Sequence, residues 1–128
     1  MKRLEKAALK FLQERNWDTL RPSDLSKSIS IEAAELLELF QWSNDSLENV
    51  KNDTEKVSAV EKELADIFLY ALYLSSLLGI DTEKIIFEKL RYASEKYPAE
   101  IMKKRTGNEP GTEKAYLEIK KKYRRKGV

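Results

Sequence analysis

The 128-residue sequence contains no cysteine and no histidine. No disulfide can form without cysteine. The absence of histidine excludes the usual zinc sites, the Ser-His-Asp triads and an imidazole base that titrates near neutral pH. Any chemistry must therefore use carboxylates, amines, hydroxyls or a metal ion held by oxygen ligands.

Long apolar runs are missing as well. The longest uninterrupted run, residues 67–74, is far shorter than a membrane-spanning helix. The N-terminal segment MKRLEKAALKF carries charges throughout and has no apolar stretch of signal-peptide length. We therefore expect a cytoplasmic protein without a membrane partner.

The charge is unevenly distributed along the chain. From Lys103 onward there are ten Lys or Arg and three Glu, a net charge of +7, which leaves −5 for residues 1–102. The length fits one domain with a real core. We predict a helical domain over residues 1–102 and a basic C-terminal tail over residues 103–128, flexible or docked on a neighbouring subunit.

Apolar spacing predicts four main helices, and no segment alternates with a period of two. The predicted helices cover residues 3–15, 24–42, 55–78 and 81–97. Residues 46–54 are predicted as a polar loop or a short irregular helix, residues 105–112 as a loop, and residues 115–123 as a short basic helix. Pro22 marks the start of the second helix, with Ser23 or Asp24 as its cap, and Gly79 the end of the third. The sequence thus predicts an all-α fold with a four-helix core.

The third helix is apolar on nearly every face. Between Leu64 and Leu78 only Asp66 and two serines are polar apart from the tyrosines, and such a helix must be buried. The fourth helix adds an apolar side that we predict to be buried, formed by Ile85, Ile86, Phe87 and Leu90. Three short partner helices offer too little cover, so we expect a homo-oligomer, at least a dimer.

Four acids interrupt these apolar patterns: Glu32 and Glu35 on the second helix, Glu63 and Asp66 on the third. Each pair is spaced by three residues, which places both carboxylates on one face. If the two helices pack antiparallel, the pairs meet, and a cluster of carboxylates without nitrogen or sulfur favours Mg²⁺ or Mn²⁺. The alternative interpretation is that all four are ordinary solvated surface acids.

The stretches IEAAELLELFQW (31–42) and EKELADIFLY (61–70) resemble the all-α nucleoside triphosphate pyrophosphohydrolases of the MazG type. The signature of that family is E-x-x-E, a spacer, and E-x-x-D, which here fall on the four acids. The runs ELFQW, FLQERNW and KYPAE look most like the dCTP pyrophosphatase branch. The likeness spans residues 11–100.

The resemblance implies a homo-oligomeric enzyme that uses Mg²⁺, with Mn²⁺ as an alternative, to cleave a nucleoside triphosphate to the monophosphate and pyrophosphate in nucleotide-pool house-cleaning. It implies metal-ligating and catalytic roles for Glu32, Glu35, Glu63 and Asp66, with Glu35 either a ligand or a group that orients the water.

The resemblance also implies residues that bind the substrate. Trp42 would pack on the base, and Trp17 and Tyr70 are further candidates; core packing is the alternative role for each of the three. Lys89 and Lys96 would reach the phosphates, with ordinary solvated lysines on a helix as the alternative. Arg21 stands where some relatives have a histidine near the base, and Ala93 where relatives often have an asparagine, so the base preference is open.

Two other functions are compatible with the sequence. The basic tail, with tyrosines between its charges, could attract nucleic acid, but the acidic body would repel a polyanion. A non-catalytic helical protein with a regulatory metal site would bind metal without turnover.

Overall fold

The computed structural model describes residues 1–103 and 110–127, and for residues 110–114 it describes the backbone. Across these residues there are α-helices and no strand, which confirms the all-α prediction. The helices are α1 Lys2–Gln13, α2 Pro22–Glu38, α3 Leu47–Asn52, α4 Thr54–Leu77, α5 Thr82–Lys96, α6 Ala99–Met102 and α7 Pro110–Arg125. The chain forms two compact units, Met1–Glu83 and Lys84–Val128.

Helix ends in the first unit follow the local chemistry of the sequence. Asn16, just after α1, adopts the left-handed conformation at φ 55°. Gly79 does the same at φ 67° after α4, and the Ile80 amide donates to the Ser75 carbonyl at 2.9 Å. These left-handed residues are typical helix stops, so the predicted end of α4 is confirmed. Asp53 caps the start of α4 by accepting from the Lys56 amide at 2.9 Å.

The predicted cap of α2 was wrong. Pro22 is the first helical residue, so the cap position falls on Arg21, whose side chain makes no capping hydrogen bond. Proline suits this position because its missing N–H would be unpaired there anyway. Asp24 lies in the first turn of the helix instead, and its side chain is available for other contacts.

Helix α2 ends at Glu38, four residues before the predicted end at Trp42. The amides of Leu39 and Phe40 bond to carbonyls three residues back, which tightens the chain into a turn. The Lys56 ammonium of α4 donates to the Leu39 carbonyl, which satisfies this helix end without a further turn.

The core of the first unit joins α1, α2 and α4. Its buried apolar side chains are Ala8, Leu12, Leu25, Leu72 and Tyr73. The start of α2 therefore packs near the end of α4. At the opposite end, the Lys56 ammonium lies 5.0 Å from the centre of the Phe40 ring. The two helices therefore run antiparallel, which is the arrangement in which the two acid pairs were expected to meet.

The prediction that α4 is buried on all sides was wrong for the single chain. Glu63, Leu72, Tyr73 and Ser75 are buried, but the opposite face is open and the side chain of Phe68 is 66% exposed. Within the described residues, α1 and α2 pack on the side of α4 that carries Leu72 and Tyr73, and the side that carries Phe68 stays exposed.

The apolar side of α5 was also predicted to be buried and is not. Its four large apolar residues, Ile85, Ile86, Phe87 and Leu90, are all exposed, between 46% and 64%. No described residue of α5 is buried. The apolar pattern located the helix correctly, but among the residues that the structure describes these four apolar side chains stay exposed.

A polar contact ties α1 to the first residue of α5. The Glu5 carboxylate accepts from the Thr82 amide at 2.9 Å, and the Thr82 and Ser75 hydroxyls lie 2.8 Å apart. The N-terminal ammonium of Met1 lies 3.9 Å from the Glu83 carboxylate. The side chain of Glu5 thus satisfies one of the amides that a helix start leaves unpaired.

The second unit is held by tyrosines. Tyr97 stacks on Tyr116 with ring centres 5.2 Å apart, and Tyr92 meets Tyr123 edge-on at 6.0 Å. The predicted basic helix over residues 115–123 is confirmed within α7. The predicted loop over residues 105–112 was wrong at its end, because α7 begins at Pro110, a favourable first helical residue. Residues 105–109 lie outside the described residues.

No single helix of the described chain has the length and apolar composition of a membrane span. Helices α4 and α5 meet that criterion only when they are taken together across the break between them.

Candidate functional site

Helices α2 and α4 bring the predicted acids together. Oxygens of Glu32, Glu63 and Asp66 lie within 4.8 Å of one another. Glu63 is 9% exposed, whereas Glu32 and Asp66 are half-buried. Glu63 and Asp66 lie near the middle of α4, as the predicted extent of that helix implied.

Glu35 lies at the solvent side of this cluster. Its side chain is exposed and within hydrogen-bonding reach of both Glu32 and Glu63. All four acids of the signature are thus neighbours, three of them in one group and Glu35 at its edge.

Burial and crowding disfavour ionisation of the two central acids. Burial raises the pKa of Glu32 above its usual range, and the charges of Glu35 and Asp66 raise it further. Burial also raises the pKa of Glu63, and the hydrogen bond with Glu35 and the charge of Glu35 raise it further. The Lys62 ammonium, 3.9 Å from Glu63, opposes this rise. The cluster therefore carries more negative charge than its surroundings compensate.

The cluster fits a hard divalent cation. The Oε2 atom of Glu63 is shielded from solvent and accepts no hydrogen bond. An unpartnered buried carboxylate oxygen is costly, and a cation would compensate it. The donors are carboxylate oxygens, which suit Mg²⁺ or Mn²⁺ better than softer metals. Glu32, Glu63 and Asp66 could hold such an ion together.

A cleft of about 440 Å³ opens beside Asp66. Residues of α1, α2, α4 and the α1–α2 turn line it: Phe11, Leu12, Trp17, Leu20, Asp24, Leu25, Ser28, Asp66, Leu69, Tyr70 and Tyr73. Phe11 lies parallel to Tyr73 at 5.9 Å and meets Trp17 edge-on at 6.1 Å. The cleft thus combines a wall of aromatic rings with one end at the acid cluster.

The other predicted binding residues lie in different surroundings. Trp17 and Tyr70 line the cleft, whereas Trp42, in the turn after α2, is 90% exposed and is not among the lining residues. Arg21 does not line the cleft, but its Nε donates to the Asp24 carboxylate at 3.1 Å.

The two predicted lysines belong to the second unit and contact tyrosines there. The Lys89 ammonium lies 5.0 Å from the centre of the Tyr92 ring. Lys96 lies 5.4 Å from the centre of Tyr97 and 4.9 Å from that of Tyr123. Each ammonium is at a distance typical of a cation–π contact.

The sequence reasoning missed Asp24 and Ser28 as cleft residues. A signal was present, because Asp24, Ser28 and Glu32 are spaced by four residues and so lie on one face of α2. Reading Asp24 as a helix cap concealed that spacing.

A family model described as MazG-like matches residues 27–109, which include all four acids. The chain belongs to the MazG-like family. The match begins within α2 at Lys27, extends past α6 and omits α1, although α1 supplies part of the cleft wall.

Among individual proteins, the chain is similar to dCTP pyrophosphatase 1 from Rattus norvegicus, with 27% identity over 93 residues. The same protein from Mus musculus is 28% identical over 93 residues. Each match covers 71% of this chain and 55% of the relative, so this MazG-like chain spans about half the length of the curated relatives it matches.

A solved structure supports the same assignment. The crystal structure of a pyrophosphatase from Archaeoglobus fulgidus DSM 4304 is similar with a TM-score of 0.66 and 35% identity. The match covers 77% of this chain and 92% of that chain. The likeness therefore takes in nearly the whole of the archaeal protein.

Proposed function

We propose that this chain is a Mg²⁺-dependent nucleoside triphosphate pyrophosphohydrolase that converts an NTP or dNTP and water to the nucleoside monophosphate and pyrophosphate. The observation that carries the proposal is the carboxylate cluster, with its unpartnered Glu63 oxygen, at the end of an aromatic cleft. The names of the relatives point the same way. We include dCTP or a modified nucleotide among the candidate substrates.

The acids would serve the triphosphate end of the substrate. Four carboxylates alone would repel a triphosphate, so the site needs a cation to accept one. Bound Mg²⁺ would offset the charge that develops on the phosphates. Glu32, Glu63 and Asp66 would hold it, and their positions on two packed helices fix their spacing before substrate arrives.

Glu35 has a different part in this scheme. Its carboxylate is exposed and borders the cluster, so it can accept a hydrogen bond from a water molecule and orient it toward the α-phosphorus. Attack of that water forms a new P–O bond, and the bond from the α-phosphorus to the bridging oxygen breaks. Pyrophosphate leaves, and the proton of the water passes through the carboxylate to solvent. We keep direct ligation by Glu35 as the alternative.

The remaining residues would bind the rest of the substrate. Trp17 and Tyr70 in the cleft would pack against the base, with Trp42 retained as a predicted contact. Lys89 and Lys96 are proposed to bind the phosphates, and Arg21 to act near the base. Residues 1–102 would form the catalytic domain and residues 103–128 the basic tail.

We further propose that the protein is a homo-oligomer of the cytoplasm, where the nucleotide pool is found. The outer face of α4 exposes 66% of Phe68, and α5 exposes 64% of Phe87. Exposed apolar faces of this kind mark interaction surfaces. Light scattering at micromolar concentration should give a dimer or tetramer. A monomer would contradict this part of the proposal.

The deciding experiment measures pyrophosphate released from a panel of ribo-, deoxyribo- and modified nucleoside triphosphates with Mg²⁺. We expect release from one group of substrates, and a loss of about a hundredfold or more in kcat for Glu63→Gln. Glu61→Gln is the matched control, because Glu61 is an exposed acid on the same helix outside the cluster.

Two results would contradict the proposed enzymatic function in favour of one of the two alternatives. Metal binding without pyrophosphate release from any substrate would indicate a non-catalytic metal-binding protein. Tight, salt-sensitive binding of nucleic acid that disappears when residues 103–128 are removed would indicate a nucleic-acid-binding protein instead.

A further inference from the structure

The cleft has a polar end opposite the acid cluster. Along α2, Asp24, Ser28 and Glu32 follow one another at intervals of four residues. At about 1.5 Å per residue, Ser28 lies roughly 6 Å and Asp24 roughly 12 Å along the helix from Glu32. Asp24 and Ser28 both line the cleft, as Asp66 does.

Helix α4 forms the wall of the cleft opposite α2, and its residues also line the cleft along its length. Asp66 is followed by Tyr70 and Tyr73 at helical spacing, and all three line the cleft. Because the two helices are antiparallel, the acids of both lie at one end, and Asp24 and the tyrosines lie toward the other. The groups along the cleft therefore run from carboxylates through a serine to aromatic rings with one further carboxylate.

This order matches the order of groups in a nucleotide. With the phosphates at the acid cluster, the sugar would pass Ser28. The base would lie between the aromatic side chains, with an edge toward Asp24. Ser28 donates its hydroxyl to the Asp24 carbonyl at 3.0 Å, so its oxygen retains lone pairs for a sugar hydroxyl.

Asp24 can accept further hydrogen bonds. Arg21 donates to its Oδ2 at 3.1 Å, and the Lys27 ammonium lies 3.7 Å from its Oδ1. Both cations are largely exposed, at 80% and 72%, whereas the Asp24 side chain is 41% exposed. A carboxylate offers about four lone-pair sites, so two partners do not saturate it. Exposed pairs of this kind are also weak enough to rearrange around a ligand.

We propose that Asp24 is a specificity-determining residue whose carboxylate accepts a hydrogen bond from the exocyclic amino group of the substrate base. This inference rests on the proposed function. It makes the preferred substrate a nucleoside triphosphate with an amino base. An oxo group in the same place would bring a second acceptor against the carboxylate, with no proton between the two oxygens. Sites built to receive a substrate N–H reject analogues that lack it.

Arg21 complements this arrangement. Its Nε is engaged with Asp24, and although Arg21 does not itself line the cleft, its terminal nitrogens carry further donors beside that carboxylate, which suit the ring nitrogen next to the amino group. Together the pair presents an acceptor beside a donor. The order is that of the amino group and adjacent ring nitrogen of cytosine or adenine, in complementary form.

The test compares bases that differ in the amino group, namely dCTP with dUTP and dATP with dITP. In the wild-type protein we expect kcat/KM to favour the amino member of at least one pair by about tenfold or more. Asp24→Asn should bring that ratio to within about threefold of one or invert it, because the amide can donate to an oxo group. The isosteric change leaves the packing unaltered.

Asp18→Asn is the matched control. Asp18 is an exposed carboxylate in the same turn region and does not line the cleft. The Asp18→Asn substitution removes the same charge and should leave the ratio of the kcat/KM values unchanged. An unchanged ratio in Asp24→Asn, or an equal change in Asp18→Asn, would overturn the inference while leaving the reaction intact.

A binding measurement separates this inference from the proposed function. Calorimetry with the α,β-non-hydrolysable analogues of dCTP and dUTP gives the ratio of dissociation constants without turnover. Tighter binding of the cytosine analogue, abolished in Asp24→Asn, would support the role of Asp24 even in a protein that released no pyrophosphate. Equal binding of both analogues by the wild-type protein, together with an equal result for the adenine and hypoxanthine pair, would reject it.

Discussion

At one end of the cleft beside α2 and α4, Glu32, Glu63 and Asp66 crowd negative charge around a buried oxygen that has no partner. At the other end, Tyr73 packs on Phe11 and belongs to the core. The first end loses stability when its acids ionise, whereas the second gains it from buried apolar area. The same pair of helices thus carries the acid cluster and the aromatic surface proposed to bind the base at separate places, so kcat and KM should respond to different substitutions.

The largest expected effect is at the acid end. Glu32→Gln should lower kcat by about a hundredfold or more, since it removes one of three converging carboxylates, and should change KM less. Glu38→Gln, an exposed acid at the end of the same helix, is the control. Steady-state kinetics of pyrophosphate release measures both. A rise in KM with kcat preserved would break the division between the two ends.

At the aromatic end we expect a change in affinity. Trp17→Ala should raise KM by about tenfold and leave kcat within about threefold, because a stacked base contributes about 1–3 kcal/mol. Trp42→Ala, measured beside it, should have the smaller effect, since Trp42 is 90% exposed and lies outside the cleft wall. The reverse order would place the base against Trp42.

The smallest effect is on stability and depends on pH. The raised pKa values of Glu32 and Glu63 mean that the folded protein holds these protons more tightly than the unfolded chain. Stability is therefore lost as the pH rises from 4.5, the ordinary pKa of a glutamate side chain, through the raised pKa values. Without metal at pH 7.5, Glu63→Gln should melt at or above the temperature of the wild-type protein.

Mg²⁺ at about a hundred times its Kd should then raise the wild-type melting temperature by about 5 °C or more, and should raise that of Glu63→Gln less. Thermal melts with and without Mg²⁺ at pH 4.5 and 7.5 measure both effects. If Glu63→Gln melted well below the wild-type protein without metal, the acid end would be stabilising rather than strained.

The acid cluster was predictable because its signal is local. Glu32 breaks an apolar stripe, Asp66 breaks an apolar helix, and each has an acidic partner three residues away. Antiparallel packing of two helices is a small assumption, and it suffices to bring the pairs together. The helix ends near Asn16 and Gly79, where the backbone conformation is left-handed, were predictable for the same reason.

The cleft was not predictable because it depends on the register between elements that are distant in sequence. Trp17 and Tyr70 come from separate segments, and both line the cleft. Spacing along α2 cannot tell which turn of α4 faces Asp24. Likewise, the spacing of apolar residues in α5 predicted a helix with one apolar side, but it did not show what covers that side.

The hydrogen bond between Glu5 and the Thr82 amide joins residues 77 positions apart. Its consequence is one of timing. The first turn of α5 cannot receive this acceptor until α1 has docked on α4, so its amide should remain open to exchange with solvent during early folding. We therefore expect the first turn of α5 to complete late, after the chain between Glu5 and Thr82 has folded.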